Sequence, residues 1–228
     1  MSNSLPETKS SIPTAGRSPG RAWAVVGIVA AIGSFVSVFL SMMLSPAYEA
    51  GSVITPEQIS AELVEKQPIL IAFHIVTLGS GLLLVVFAAG LHRRLREALP
   101  AGALAPVVAL SGLLLVSVAQ VLGSGLDTEF LFGVGDTAIM LPSDIGFYSH
   151  WIATIPWLWV GGGLAAVTLG VAWRGGGVPA WIGVTSFILG GLTLLLALSP
   201  LQYMAAGPGA LWLLLASAGF ALGDRRAR

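Results

Sequence analysis

The sequence predicts an all-α polytopic membrane protein, six transmembrane helices in one bundle with the N- and C-termini both cytoplasmic. Three observations predict it. Hydrophobic residues make up 55% of the 228-residue chain and charged ones 10%, and the mean hydropathy of +0.87 lies far above that of water-soluble domains. The apolar residues gather into stretches of about 20, enough to cross ~30 Å of hydrocarbon at ~1.5 Å per residue. Basic residues gather in alternate connections, as cytoplasmic retention of Lys and Arg requires. A strand reading fails, because open sheet edges cannot face lipid and no segment shows the two-residue alternation of a barrel.

Residues 1–21 are rich in Ser, Pro and Gly and hold no apolar run, so they bury too little surface to offset the entropy of ordering and read as a disordered cytoplasmic tail. The first span covers 22–44; it is about twice the length of a signal-peptide core and is expected to stay in the membrane. Five further spans follow at about 69–91, 103–125, 151–173, 179–198 and 204–222, so that 22–222 forms one transmembrane domain and 223–228 a basic cytoplasmic C-terminus.

The loops set the orientation. Lys9, Arg17 and Arg21, the turn holding Arg93, Arg94 and Arg96, then Arg174, and finally Arg225, Arg226 and Arg228 comprise every basic residue except Lys66. All fall on one side of a six-span chain, which is therefore the inner side. Glu49, Glu57, Glu62, Glu65, Asp127, Glu129, Asp136 and Asp144 fall on the other. Trp23, Trp151, Trp173, Trp181 and Tyr148 sit near span ends, where interfacial aromatics are expected. An Arg-rich basic set with abundant Ala and Gly fits a bacterial source, so the expected location is the bacterial cytoplasmic (inner) membrane. The lipid bilayer is the partner this composition implies, and no nucleic acid.

The chain has no cysteine, which excludes disulfides, thiolate metal sites, iron–sulfur clusters and cysteine nucleophiles. No HExxH motif or Ser–His–Asp order is present, and the mid-span Gly runs lack the strand–loop–helix context of a nucleotide cradle. In the first span Ala30, Gly33 or Ser34, Ser37 and Ser41 form a small-residue stripe that allows close helix approach. That stripe is a candidate for homo-oligomer formation or for docking on a partner membrane subunit.

Ionisable groups within spans are costly and mark candidate sites. Centring the second span on Ser80 puts His74 about 9 Å outward of the midplane, and centring the third on Leu114 puts Gln120 at about the same height. Ser117, Gln120, Ser124 and Asp127 share one helical stripe. His74, Gln120, Ser117, Ser124, Asp127 and His150 are therefore the candidate ligand-binding residues. The plainer account is an interhelical His74–Gln120 hydrogen bond acting as glue, worth ~0.6–2 kcal/mol.

His150 falls about 18 Å from the centre of its span, among the acidic residues of the third loop. That loop, GLDTEFLFGVGDTAIMLPSDIGFYSH, lacks the ligand spacing of a calcium-binding EF-hand and reads as an acidic surface loop whose Phe130, Leu131 and Phe132 dip into the interface. Bis-His haem b ligation by His74 and His150 meets a height mismatch of about 9 Å, so no cofactor is expected.

At FHIVTLGSGLLLVVFAAGLHRRL and GLDTEFLFGVGD the chain resembles small bacterial multi-span integral membrane proteins of unknown function. The resemblance covers most of 22–222 and implies a six-helix inner-membrane protein with no assigned reaction. The functional expectation is a non-enzymatic protein that binds or passes a small ligand through an outward-facing polar crevice lined by His74, Gln120 and Asp127. Two alternatives stand beside it: a haem- or quinone-binding redox protein, and an accessory or structural membrane subunit.

Overall fold

Long apolar runs must satisfy their own backbone amides, and the chain does so as helices. In a computed structural model, residues 21–45, 54–136 and 138–223 are described; the expected tail up to residue 20, Glu49 and the C-terminal arginines lie outside them. Among the described residues all regular structure is helical. The helices are α1 (Ala22–Leu44), α2 (Pro56–Glu65), α3 (Gln67–Ala98), α4 (Ala105–Gly125), α5 (Asp127–Gly133), α6 (Pro142–Thr154), α7 (Val160–Arg174), α8 (Ala180–Leu198) and α9 (Ala206–Leu222). Six stretches are long and apolar enough to cross a membrane: Ala22–Leu44, Gln67–Ala98, Ala105–Gly133, Pro142–Arg174, Ala180–Leu198 and Gln202–Leu222.

Each long helix packs on the next in the chain, and the last returns to the first: α1 on α3, α3 on α4, α4 on α7, α7 on α8, α8 on α9 and α9 on α1. Small residues line the contacts. A side chain at Gly112 of α4 would strike the carbonyl oxygen of Gly161 in α7, and one at Gly161 would strike that of Gly112, so the two backbones touch. The outward faces carry large apolar side chains, among them Val25, Ile32, Phe39, Ile75, Leu82, Leu115, Leu122, Ile188 and Leu195. Small residues at the helix contacts with Leu, Ile and Phe on the outside suit a bundle of membrane-spanning helices.

The small-residue stripe of α1 is used within the chain. Ala30, Ser34, Ser37 and Ser41 are buried; Ser37 hydrogen-bonds Thr77 of α3, and Gly33 lies against Ser80. A partner helix would meet the opposite face of α1, through Val25, Val29, Ile32, Val36 and Phe39.

Three elements depart from simple spans. The first connection contains α2, begun by a reciprocal cap in which Thr55 N donates to Gln58 Oε1 at 2.9 Å and Gln58 N to Thr55 Oγ1 at 3.4 Å, with Pro56 in the first turn. It buries Ile59 and Leu63, one turn apart. The arginine turn is not a turn, because α3 continues helically through Arg93–Arg96 and ends at Ala98. There Leu99, preceding Pro100, adopts φ −109° and ψ 158°, the extended conformation that a following proline imposes.

The fourth apolar stretch is broken. Pro156 has no N–H to continue the ladder of α6, so the chain makes one 3-10 turn over Ile155–Trp157 and restarts at Val160. Trp159 fills the break, fully buried, with Nε1 donating to the Pro156 carbonyl at 3.2 Å. Interrupted helices of this kind require burial of the freed backbone.

The apolar interior has two parts. One runs through the bundle between Ala24 and Phe220 and includes Phe87, Leu113, Trp159 and Trp212. The second closes one end: Leu44, Leu70 and Phe73 from the ends of α1 and α3, with Ile59 and Leu63 of α2, Phe130 of α5, and Ile145, Tyr148 and Ile152 of α6.

Candidate functional site

Between these two apolar parts lies a run of buried polar side chains. On α3, Thr77 and Ser80 are buried, and on α4 Ser117, Gln120 and Ser124 are too; Asp127, the first residue of α5, is 0% exposed. The helix almost continues from α4 into α5, with Leu126 between them in the right-handed helical region, so the stripe of Ser117, Gln120 and Ser124 extends to Asp127.

Asp127 is the hub. Its Oδ2 lies 3.2 Å from Nδ1 of His74, and its Oδ1 accepts the Tyr148 hydroxyl at 2.8 Å. The Tyr148 ring stacks on Phe130, centroids 3.8 Å apart and planes 3° from parallel. α6 is held on α4 by Trp151, whose Nε1 donates to the Gly123 carbonyl at 3.2 Å. The His74 side chain remains 23% exposed, so it is the member of the cluster that reaches the surface of the bundle.

Further along the stripe the polar atoms are incompletely used. Ser117 Oγ donates to the Gly81 carbonyl at 2.8 Å. Gln120 enters the space that Gly81 leaves on α3: a β-carbon there would lie 3.1 Å from Gln120 Oε1 and 3.2 Å from its Cβ. Gln120 Oε1, Ser124 Oγ and Ser149 Oγ are buried with no hydrogen-bond partner. Buried oxygens normally find donors, so two orphans on the stripe that ends at Asp127, and a third on α6 beside Tyr148, single out this region. A fourth, Ser217 Oγ, belongs to α9.

The candidate residues are thus distributed unevenly. His74 and Asp127 meet directly. Gln120 does not face His74 but Gly81, seven residues along α3, or about 10 Å. Gly81 follows His74 by seven residues and Gln120 precedes Asp127 by seven, so both contacts share one antiparallel register, which differs by two turns from the pairing expected on depth alone. Centring each span in the membrane ignores the short Leu99–Leu104 connection, and that connection fixes how the α3–α4 hairpin aligns. Ser117 and Ser124 lie on the same buried stripe.

Asp127, read as part of an acidic surface loop, is instead fully enclosed, because α5 packs on α3 and Tyr148 of α6 lies over it. Phe130 is buried with it, whereas Phe132 is 83% exposed. His150 is on the exposed face of α6, and its carbonyl accepts from Thr154 Oγ1 at 2.9 Å.

The α6 residue that reaches Asp127 is Tyr148, which its position near a span end had marked only as interfacial. The available signal was its spacing: Ile145, Tyr148, Ser149 and Ile152 recur at three and four residues, the buried face of a helix. His92 is part-buried with Nδ1 3.0 Å from the Pro106 carbonyl, a bond that closes the α3–α4 hairpin at its opposite end.

Fold and site define, among the described residues, an all-helical protein with six stretches fit to span a membrane and an enclosed acid–imidazole–phenol cluster near one end. No family model, no curated protein and no solved structure matches it.

Proposed function

We propose that this is a multi-pass protein of the bacterial cytoplasmic membrane, both termini cytoplasmic, that binds or passes a small ligand through an outward-facing polar site centred on Asp127. The observation that carries the reading is a carboxylate with no solvent exposure, joined to the surface by the half-buried His74 and continued inward by the orphaned oxygens of Ser124 and Gln120. Ionisable groups enclosed in a bundle of this kind are costly and are kept where ions, protons or substrates move. A purely structural role would favour satisfied pairs or apolar side chains, which cost less to bury.

The orientation rests on charge. Arg21 begins α1, Arg93, Arg94 and Arg96 lie near the end of α3, and Arg174 ends α7. With consecutive spans antiparallel, these positions share the end opposite Asp127, and Lys/Arg-bearing ends remain cytoplasmic.

The absence of cysteine makes the test direct. His74→Cys, Ser124→Cys and Gln120→Cys, each introduced alone, are exposed in sealed membranes to a charged, impermeant thiol reagent from either side. Labelling of position 74 from the outside, with slower labelling at 124 and 120, is the expected pattern. Labelling from the cytoplasmic side only, or none at all three positions, overturns the reading.

A further inference from the structure

We propose that the outward side of α3 holds one anionic phospholipid, its phosphate gripped by Arg93 and Arg96 and its acyl chains laid along Leu82, Val85, Val86 and Ala89. The surface lies at the end of the bundle opposite Asp127, and the proposal does not depend on the ligand site there being filled.

The spacing of the chain builds this face. Leu82, Val86, Ala89, Arg93 and Arg96 recur at three and four residues, with Val85 beside Val86, and so share one side of a helix. All of them are exposed, whereas Leu84, Phe87, Leu91 and Leu95 on the other side are buried in the bundle. Because α3 runs unbroken to Ala98, the two arginines prolong the apolar stripe and stand one turn apart on it. In an irregular turn they would have no fixed relation to it.

Depth then fixes what the arginines meet. The exposed apolar side chains of α3 run from Ile71 to Ala89, about 27 Å of helix, close to the ~30 Å of hydrocarbon in a bilayer. Arg93 follows about 6 Å further along and Arg96 about 10 Å, at and just beyond the headgroup zone. Helical side chains lean toward the N-terminus of their helix, which for α3 is back toward the bilayer, so both guanidinium groups reach the level of the phosphates.

Their charge is unspent within the chain. Among the described residues neither arginine forms a hydrogen bond or an ion pair; the ion pairs there are Lys66–Glu62 and His74–Asp127. Glu97, four residues after Arg93 and spaced to neutralise it, does not pair with it. A guanidinium presents a planar fork of N–H donors that matches phosphate oxygens two at a time and is more weakly hydrated than an ammonium. Two forks one turn apart, at the foot of an apolar stripe, suit a phosphate that carries acyl chains, and Ala89, the smallest side chain on the stripe, falls where the glycerol would lie. A zwitterionic lipid brings its own ammonium to the same phosphate and competes with the arginines. A second copy of the chain, docked by two-fold symmetry, would set its Arg93 and Arg96 against these, and like charges oppose that contact.

The other arginines of that end are placed differently. Arg94 is half-buried, and the Arg21 guanidinium lies against Gly223 at the end of α9. Arg174, exposed at the end of α7, stands alone and supplies the control.

The test is native mass spectrometry of the detergent-purified full chain titrated with dioleoylphosphatidylglycerol or with dioleoylphosphatidylcholine, which has the same acyl chains and no net charge. One phosphatidylglycerol should be retained about thirtyfold more strongly than phosphatidylcholine, roughly fivefold for each arginine. The double variant Arg93→Gln, Arg96→Gln keeps good helix formers on an exposed face and so keeps the fold; it should lose most of that preference, and Arg174→Gln should retain it. Equal retention of the two lipids, a preference that survives the double substitution, or an equal loss in Arg174→Gln overturns the proposal. So does a dimer of the chain that the double substitution dissociates, since the face would then belong to a second copy.

Discussion

Tyr148 donates to Oδ1 of Asp127 at 2.8 Å while its ring lies flat on Phe130, three residues after the acid. One side chain thus satisfies half of an enclosed carboxylate and joins α6 to α5. Tyr148→Phe keeps the stack and deletes the hydrogen bond, leaving a buried oxygen unpaired, a cost of about 1–3 kcal/mol. Thermal unfolding followed by circular dichroism in detergent should show a lower Tm, and Tyr148→Leu, which also gives up the aromatic pair, a larger drop, by roughly a further 0.5–1.5 kcal/mol.

The register of α3 against α4 depends on a missing side chain. Gly81 admits Gln120 and offers its carbonyl to Ser117, whereas nothing lies within 4 Å of a β-carbon at Gly79, two residues away. Gly79→Ala should leave stability unchanged or raise it by up to about 1 kcal/mol through helix propensity. Gly81→Leu should push the helices apart, lower Tm by more than any other single change on α3, and remove whatever binding the site has. Equal behaviour of the two variants would mean that Gln120 does not lie against α3.

What could be read from the chain and what could not divide along a physical line. Six long apolar helices are visible because each needs only a local property, a run of side chains that prefer lipid to water. The α3–α4 register is not local. It depends on where Leu99–Pro100 stops one helix and Pro106 starts the next, so His74 finds Asp127 and not Gln120.

The helix α2 escapes a search for long apolar runs because it buries only Ile59 and Leu63; its Thr55–Pro56–Glu57–Gln58 start is the signal that reveals it. The enclosure of Asp127 escapes for a different reason. An acid at the edge of an apolar run reads as solvated until the fold shows α5 and α6 closing over it.

The α4–α7 contact tests whether backbone closeness stabilises the bundle. Gly112 and Gly161 face each other carbonyl to Cα, and a methyl group on either would overlap the opposing backbone, which has no flexible end to move aside. Gly161→Ala and Gly112→Ala should each destabilise by about 1–3 kcal/mol, the usual cost of overpacking. Gly191→Ala and Gly207→Ala, with open space around the added carbon, are the matched controls and should be neutral. Thermal aggregation of the four variants in one detergent decides the matter, and indistinguishable curves would count against the contact.

Gln120 separates stability from function most sharply. Its side chain is 1% exposed and its amide oxygen has no donor, so the folded chain bears an uncompensated desolvation cost of roughly 1–3 kcal/mol. Leu has nearly the same volume and no polar atom to strand. If the amide is there for packing alone, Gln120→Leu should lower Tm, since the branched side chain would fit less well into the space beside Gly81. If it waits for a ligand, the same change should raise Tm and weaken or abolish the binding centred on Asp127, the opposition between stability and activity found where a site is held unsatisfied until it is filled. The second outcome is the expected one. A fall in Tm with binding intact would return Gln120 to the role of interhelical glue.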